Sequence, residues 1–166
     1  MPTVYYAIDQ TKPNAKPLFK KHENDACWDV FAATGRFVEE YTDAQGKHIP
    51  RHYLYGTGLH FAIPKGYHIE GYPRSSLFET GLSLANAPAI IDCGYTGEMM
   101  AHFYEVVPNG IIYDIGDRIM QIRLSPARYD EVDFKLIPME ELNKMFASLP
   151  EYKGRGNNGF GSTGRK

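Results

Sequence analysis

Arg74-Ser75-Ser76 brings a guanidinium, two hydroxyls and the free amides of a short helix start into one small volume, a donor set suited to phosphate. The same tripeptide also reads as a plain helix start, with the serines as caps and Arg74 paired to a surface carboxylate. A second group, Ile90-Ile91-Asp92-Cys93-Gly94-Tyr95-Thr96-Gly97, ends an apolar run on one carboxylate beside a glycine turn and an aromatic ring. An acid there needs hydrogen bonds, a cation or exposure in a cleft; a general base and an ordinary turn aspartate both meet that need. Asp29 sits inside the otherwise apolar Ala26-Cys27-Trp28-Asp29-Val30-Phe31-Ala32-Ala33, beside the single tryptophan, where it would hold either a metal-bound water or a backbone turn. Residues 155–166 form a Gly-rich basic tail with one aromatic, Phe160, and two hydroxyls, Ser162 and Thr163. Glycine amides and hydroxyls approach phosphates, Arg155 neutralises them, and Phe160 offers a face to a base; the plain alternative is a solvated tail.

These groups need a scaffold, and 166 residues are enough for one domain with its own core. A net charge of -2 gives no field for gripping a polyanion, so neither a nucleic-acid groove nor a polybasic membrane anchor is expected. Cys27 and Cys93 lack metal-ligand spacing, could make at most one bridge, and read as free buried thiols. His22, His48, His52, His60, His68 and His102 show no zinc pairing pattern and receive no catalytic role. The chain begins Met1-Pro2-Thr3-Val4-Tyr5-Tyr6, without a basic region followed by an apolar run, and a soluble cytoplasmic protein is expected.

Short aromatic and β-branched runs separated by Gly, Pro, Asn and Asp predict an all-β sandwich or barrel. Strands are expected near 4–8, 28–33, 51–55, 59–63, 67–72, 89–91, 99–106, 111–114, 118–124 and 132–136. On 118–124, alternation puts Met120, Ile122 and Leu124 on one face and Ile119, Gln121 and Arg123 on the other. Residues 34–58 read as a polar excursion. A helix follows Pro138, with Leu142, Met145, Phe146 and Leu149 forming an apolar face that packs as a lid on the sheets. A shorter helical turn over 76–79 would carry a Ser76/Glu79 capping box.

In this order the segments closely resemble the five motifs of the trimeric, all-β dUTPase family (deoxyuridine 5′-triphosphate nucleotidohydrolases). The resemblance runs through 26–33, 73–76, 86–97, 116–121 and 155–164, and leaves out 34–50 and 125–150. It implies a distorted jelly roll or β-barrel of the dUTPase β-clip type with one short helix, a β domain over 1–150 and a flexible flap over 151–166 that closes the active site. The implied activity is hydrolysis of dUTP to dUMP and pyrophosphate, which limits uracil incorporation into DNA and supplies dUMP for dTMP synthesis. Mg²⁺ would be held mainly by the substrate phosphates, and the enzyme would be a homotrimer with active sites shared between subunits. By the same resemblance Asp92 is the base for the water that attacks the α-phosphorus, while Arg74, Ser75, Ser76 and Gln121 contact phosphates. Asp29 acts on the metal through water. Asn86, Ile91, Tyr95 and Met99 belong to the uracil and deoxyribose pocket. Phe160 and Gly161 cover the base, and Arg155, Ser162 and Thr163 clamp the phosphates.

Cys27, Ala89 and Asn158 stand where family members usually have glycine; Asn tolerates the left-handed region, and a local backbone adjustment is expected at the other two. The nearest rival, dCTP deaminase, shares the Arg-Ser-Ser and Ile-Asp-x-Gly pattern but needs a carboxylate on the strand after the hairpin, where this chain has His102. A nucleotide-sensing protein that binds a regulatory partner through 34–58 is the rival from another class.

Overall fold

Alternating burial along two long strands, 67–72 and 118–126, creates one face for the core and one for solvent. The computed structural model describes residues 2–127 and 135–148. In chain order the strands are β1 (Tyr5–Ile8), β2 (Trp28–Phe31), β3 (Thr34–Val38), β4 (Tyr41–Thr42), β5 (His48–Ile49), β6 (His52–Gly56), β7 (Leu59–Ala62), β8 (Tyr67–Tyr72), β9 (Leu82–Leu84), β10 (Ala89–Asp92), β11 (Met100–Glu105) and β12 (Arg118–Pro126), followed by helix α1 (Met139–Ser148). The strands form two four-stranded antiparallel sheets, β10-β8-β12-β2 and β3-β6-β11-β9, and two separate two-stranded ones, β1-β7 and β4-β5. Val30, Leu59, Met99, Phe103, Ile119 and Met120 are almost wholly removed from water in the core. The expected all-β architecture is what the chain adopts.

Four expectations change. Residues 34–58 are not an excursion: β3 pairs with β6 along its length, and β4 and β5 make a small hairpin. Their side chains stay largely exposed, so no apolar alternation marks them. Residues 111–114 form no strand; Ile111 instead accepts a hydrogen bond from Gly81 N at 2.8 Å, and Gly81 and Gly110 pack so closely that a Cβ on Gly81 would lie 2.8 Å from Gly110 Cα. On β12 the alternation breaks at a bulge between Arg118 and Met120, which sends both Ile119 and Met120 into the core. The turn after Arg74 is a 3-10 helix, Ser75–Glu79, with Arg74 as its extended N-cap and no side-chain cap, in place of the capping box.

The chain divides into two units, Met1–Arg128 and Tyr129–Lys166. In the second, Pro138 opens α1 as expected, its carbonyl accepting from the amides of Glu141 and Leu142. Within α1, Leu142 is half-buried and the other residues are exposed. The strand expected over 132–136 lies mostly outside the described residues; Lys135 and Leu136 are not in a strand.

Two tyrosines test the polar side of the core. Tyr55 Oη donates to the Tyr113 carbonyl at 2.9 Å, whereas the buried Tyr113 Oη has no hydrogen-bond partner among the described residues. Burial pushes the Tyr55 phenol up to about 12. Removing a satisfied buried hydroxyl costs about 1 kcal/mol, and removing an orphan relieves a desolvation penalty. In urea unfolding, Tyr55→Phe is expected to lower stability by about 1 kcal/mol and Tyr113→Phe to leave it unchanged or raise it.

Candidate functional site

Antiparallel registry places Asp29 directly opposite Gln121, and Gln121 directly opposite Tyr72, so β2, β12 and β8 present these three side chains in one row on the polar face. Two residues beyond Tyr72, at the end of β8, Arg74 turns back over the row. Its Nε donates to Asp29 Oδ1 at 2.9 Å, and its Nη1 donates to Ser76 Oγ at 3.1 Å and to the Arg118 carbonyl at 3.3 Å. Arg118 Nη1 donates to the other Asp29 oxygen at 2.9 Å. Gln121 Nε2 donates to the Pro73 carbonyl at 2.9 Å, which fixes its amide beside the same turn. Asp29 therefore orients two guanidinium groups, and Ser75 stands exposed at the head of the 3-10 turn. The result is a rigid, cation-rich corner with a free hydroxyl, chemistry that receives phosphate oxygens.

A cavity of about 370 Å³ opens between β10 and β11, lined by Asn86, Ile91, Asp92, Tyr95, Met99 and His102 among others. Its rim is the turn Asp92–Tyr95, closed by Tyr95 N donating to Asp92 O at 3.1 Å, with Gly94 at φ +91°, the conformation that a type II turn requires at its third position. The Tyr95 ring folds onto Gly97: a Cβ there would lie 2.4 Å from Tyr95 Oη, so the small residue makes room for the ring. Glu98 braces the floor, accepting from Gly58 N at 2.8 Å and pairing with Lys12. Ala89, at a position where glycine was expected, is accommodated because its register partner is Gly71; a Cβ on Gly71 would come within 3.3 Å of the Ala89 Cβ. Both cysteines are free, but neither is the buried thiol expected: Cys93 is exposed at the turn, and Cys27 is half-buried, a burial that raises its thiol pKa. Burial, with His52 and Arg36 nearby, lowers the pKa of His102.

Between the corner and the cavity the sheet face is occupied. Glu70 accepts from Tyr72 Oη and from Arg123 Nε at 2.9 Å, and pairs with His68 at 3.2 Å. Four residues along β8 and two strand spacings separate Asp92 from Gln121 by about 17 Å, Cα to Cα, with Glu70 at the midpoint. The Tyr72 hydrogen bond, helped by Ser125, Arg123 and His68, holds the Glu70 carboxyl at about 2. A depressed carboxylate adds stability above its unfolded pKa and loses it as pH falls through the folded value. Acid titration of stability is therefore expected to show a loss between about pH 4.5 and pH 2 that Glu70→Gln reduces.

Of the residues singled out in the sequence, Asp29, Arg74, Ser76 and Gln121 meet in the corner, with Ser75 at its edge, while Asn86, Ile91, Asp92, Tyr95 and Met99 line the cavity. Arg155, Phe160, Gly161, Ser162 and Thr163 lie outside the described residues. Sequence reasoning missed Arg118, although an apolar-strand aspartate demands a counter-ion, and it missed Glu70, whose partners alternate in register on β8 and β12. Among the described residues no three His, Cys, Asp or Glu side chains gather around a common point, and both Asp29 oxygens face guanidinium groups. Such a donor set builds no protein cage for Mg²⁺, and it fits a cation carried by substrate phosphates and water.

The profile of a family described as dCTP deaminase-like matches residues 19–127. The deoxyuridine 5′-triphosphate nucleotidohydrolase of Leptospira interrogans is 37% identical over 158 residues, 95% of this chain and 97% of its own length. That of Corynebacterium diphtheriae is 33% identical over 160 residues, 95% and 91% of the two chains. Among solved structures, the dUTPase of Staphylococcus bacteriophage 80alpha with dUpNHpp shares the fold at TM-score 0.59 and 19% identity, covering 98% of each chain. A dUTPase from phage phi11 of S. aureus, described with a structural Mg(II) ion, does so at TM-score 0.58 and 18% identity, over 82% of this chain and 95% of its own. No described helix is long and apolar enough to cross a membrane. With a profile match through all of the corner and the cavity, and relatives aligned along nearly the whole length, the chain belongs to the dUTPase family.

Proposed function

We propose that this chain hydrolyses dUTP to dUMP and pyrophosphate as a Mg²⁺-dependent homotrimer. The carrying observation is the cavity between β10 and β11, which has one carboxylate, Asp92, at its rim and the Tyr95 ring folded over Gly97 beside it. Uracil enters between the strands, where backbone donors and acceptors and Asn86 read its edge, and Ile91 and Met99 supply apolar walls. Cytosine would leave those polar groups unpaired. Tyr95 lies under the deoxyribose and leaves no space for a 2′-hydroxyl.

Asp92 accepts a proton from the water it orients. The water oxygen bonds to the α-phosphorus as the α–β bridging P–O bond breaks, and pyrophosphate leaves with the electron pair. Ser75 donates to the bridging oxygen as its charge grows; Arg74, Ser76 and Gln121 hold the flanking oxygens. Bound Mg²⁺ would neutralise phosphate charge, and Asp29 would touch it only through water. Arg155, Phe160, Gly161, Ser162 and Thr163 form a flap over 151–166 that completes the β domain's site by covering base and phosphates. In the cytoplasm, or a host's, the reaction keeps uracil out of DNA and supplies dUMP for dTMP synthesis.

The separation between Asp92 and the Arg74 corner supports the trimer. One phosphorus must lie within hydrogen-bond reach, or one water, of both groups, while about 17 Å and the Glu70 network stand between them within one chain. A neighbouring subunit's corner facing this cavity removes the gap.

The test is pyrophosphate release from dUTP, UTP, dTTP and dCTP, with and without Mg²⁺, beside light scattering. Mg²⁺-dependent release from dUTP alone by a trimer is expected. Ammonia release from dCTP, or full activity in a monomer, would contradict the reading.

A further inference from the structure

The Arg74 corner is short of positive charge for a triphosphate. Two guanidinium groups, Arg74 and Arg118, share one carboxylate, Asp29, leaving one net positive charge among these three side chains. A triphosphate carries several negative charges, and one divalent cation leaves a net negative charge behind. Even with Arg155 of the proposed flap added, further cations beside Gln121 would strengthen the hold on a triphosphate.

They stand next to it. Phe19 pairs with Asp29 as a one-residue extension of the β10-β8-β12-β2 sheet, its amide donating to Asp29 O at 3.1 Å and its carbonyl accepting from Asp29 N at 2.7 Å. The chain then loops from Lys20 back to β2, and between this loop and β12 lies a second cavity, of about 180 Å³, lined by Lys20, Lys21, Asp25, Cys27, Asp29 and Gln121 among others. Asp25 is turned to its own loop, accepting from His22 N at 2.9 Å. Lys20 Nζ lies 4.5 Å from the centroid of the Trp28 ring, which holds the ammonium without neutralising it. Neither lysine makes an ion pair with a carboxylate among the described residues. The cavity shares Asp29 and Gln121 with the phosphate corner, and it carries two ammonium groups that no carboxylate pairs with, against the single charge of Asp25.

We propose that Lys20 and Lys21 form a subsite for the β,γ-pyrophosphate end of the nucleotide, holding it in the substrate and retaining it briefly as product. The assignment rests on the reading of this chain as a dUTP hydrolase, yet it has a readout that needs no turnover: binding of inorganic pyrophosphate. Each partly exposed ammonium acting on a phosphate oxygen is expected to contribute about fivefold in affinity.

The experiment compares the full-length protein with the Lys20→Gln/Lys21→Gln double variant, with Lys21→Gln alone at its exposed position, and with Lys20→Arg/Lys21→Arg. Calorimetry measures binding of pyrophosphate and of dUMP, and steady-state kinetics give the KM for dUTP. The double variant is expected to bind pyrophosphate more than tenfold more weakly and to raise the KM for dUTP by a similar factor. Its affinity for dUMP, which has no β- or γ-phosphate, should be unchanged, and this also shows that it is folded. Lys21→Gln alone should lose about threefold to fivefold, and the arginine pair should keep most of the binding. Unchanged pyrophosphate affinity and unchanged KM in the double variant, with dUTP still turned over, overturn the subsite and leave the activity standing. Lysine-dependent pyrophosphate binding in a wild-type protein that does not turn over dUTP overturns the activity and leaves the subsite.

Discussion

Asp92→Asn is expected to lower kcat for dUTP on the order of 10³-fold while the Kd for a non-hydrolysable dUTP analogue changes little. The amide keeps the shape of the carboxylate but cannot take a proton from the attacking water, and an aligned base contributes factors of this size. The position favours a clean result: Asp92 is exposed at the tip of β10, and its backbone carbonyl, not its side chain, closes the turn with Tyr95. Loss of turnover without loss of fold or binding is the signature of a group used in the transition state. Single-turnover hydrolysis, beside calorimetry with the analogue, checks it.

Asp29→Ala is expected to reduce both stability and activity. Its carboxylate accepts from Arg74 and Arg118 at 2.9 Å each; Asp29 and Arg74 are largely shielded, and the Arg118 side chain is 36% exposed. Without it two guanidinium groups face each other unpaired, and breaking a shielded pair of this kind costs about 2 to 3 kcal/mol. Arg74 would also lose the contact that aims it, so kcat/KM should fall by about 100-fold, largely through phosphate positioning. Chemical denaturation and dUTP kinetics measure the two losses. Arg118→Gln should reproduce the stability loss in part, because one guanidinium then remains to pair with Asp29.

Strands 67–72 and 118–126 were legible because their burial alternates, the first to the residue and the second to within two residues, and 52–56 was legible to within one residue from its aromatic run. What escaped was either exposed or non-periodic. β3, β4 and β5 show mostly solvent-facing side chains, and β9 has only three residues, too few to display a period. The bulge at Arg118 and Met120 adds one residue to β12, and a strict two-residue period has no way to register it. At the site, residues that belong to short local motifs were found in the sequence, and the structure groups them into a corner and a cavity. The counter-ions were harder, since Arg74 and Arg118 reach Asp29 across 45 and 89 residues of chain. Helix α1 was legible from its apolar spacing of three and four residues and from Pro138 at its start.

The most direct measurement is hydrolysis of dUTP in ¹⁸O-enriched water under single-turnover conditions, with both products analysed by mass spectrometry. Water directed by Asp92 onto the α-phosphorus places one ¹⁸O atom in dUMP and none in pyrophosphate. Label in pyrophosphate, or turnover that survives Asp92→Asn unchanged, would contradict this mechanism.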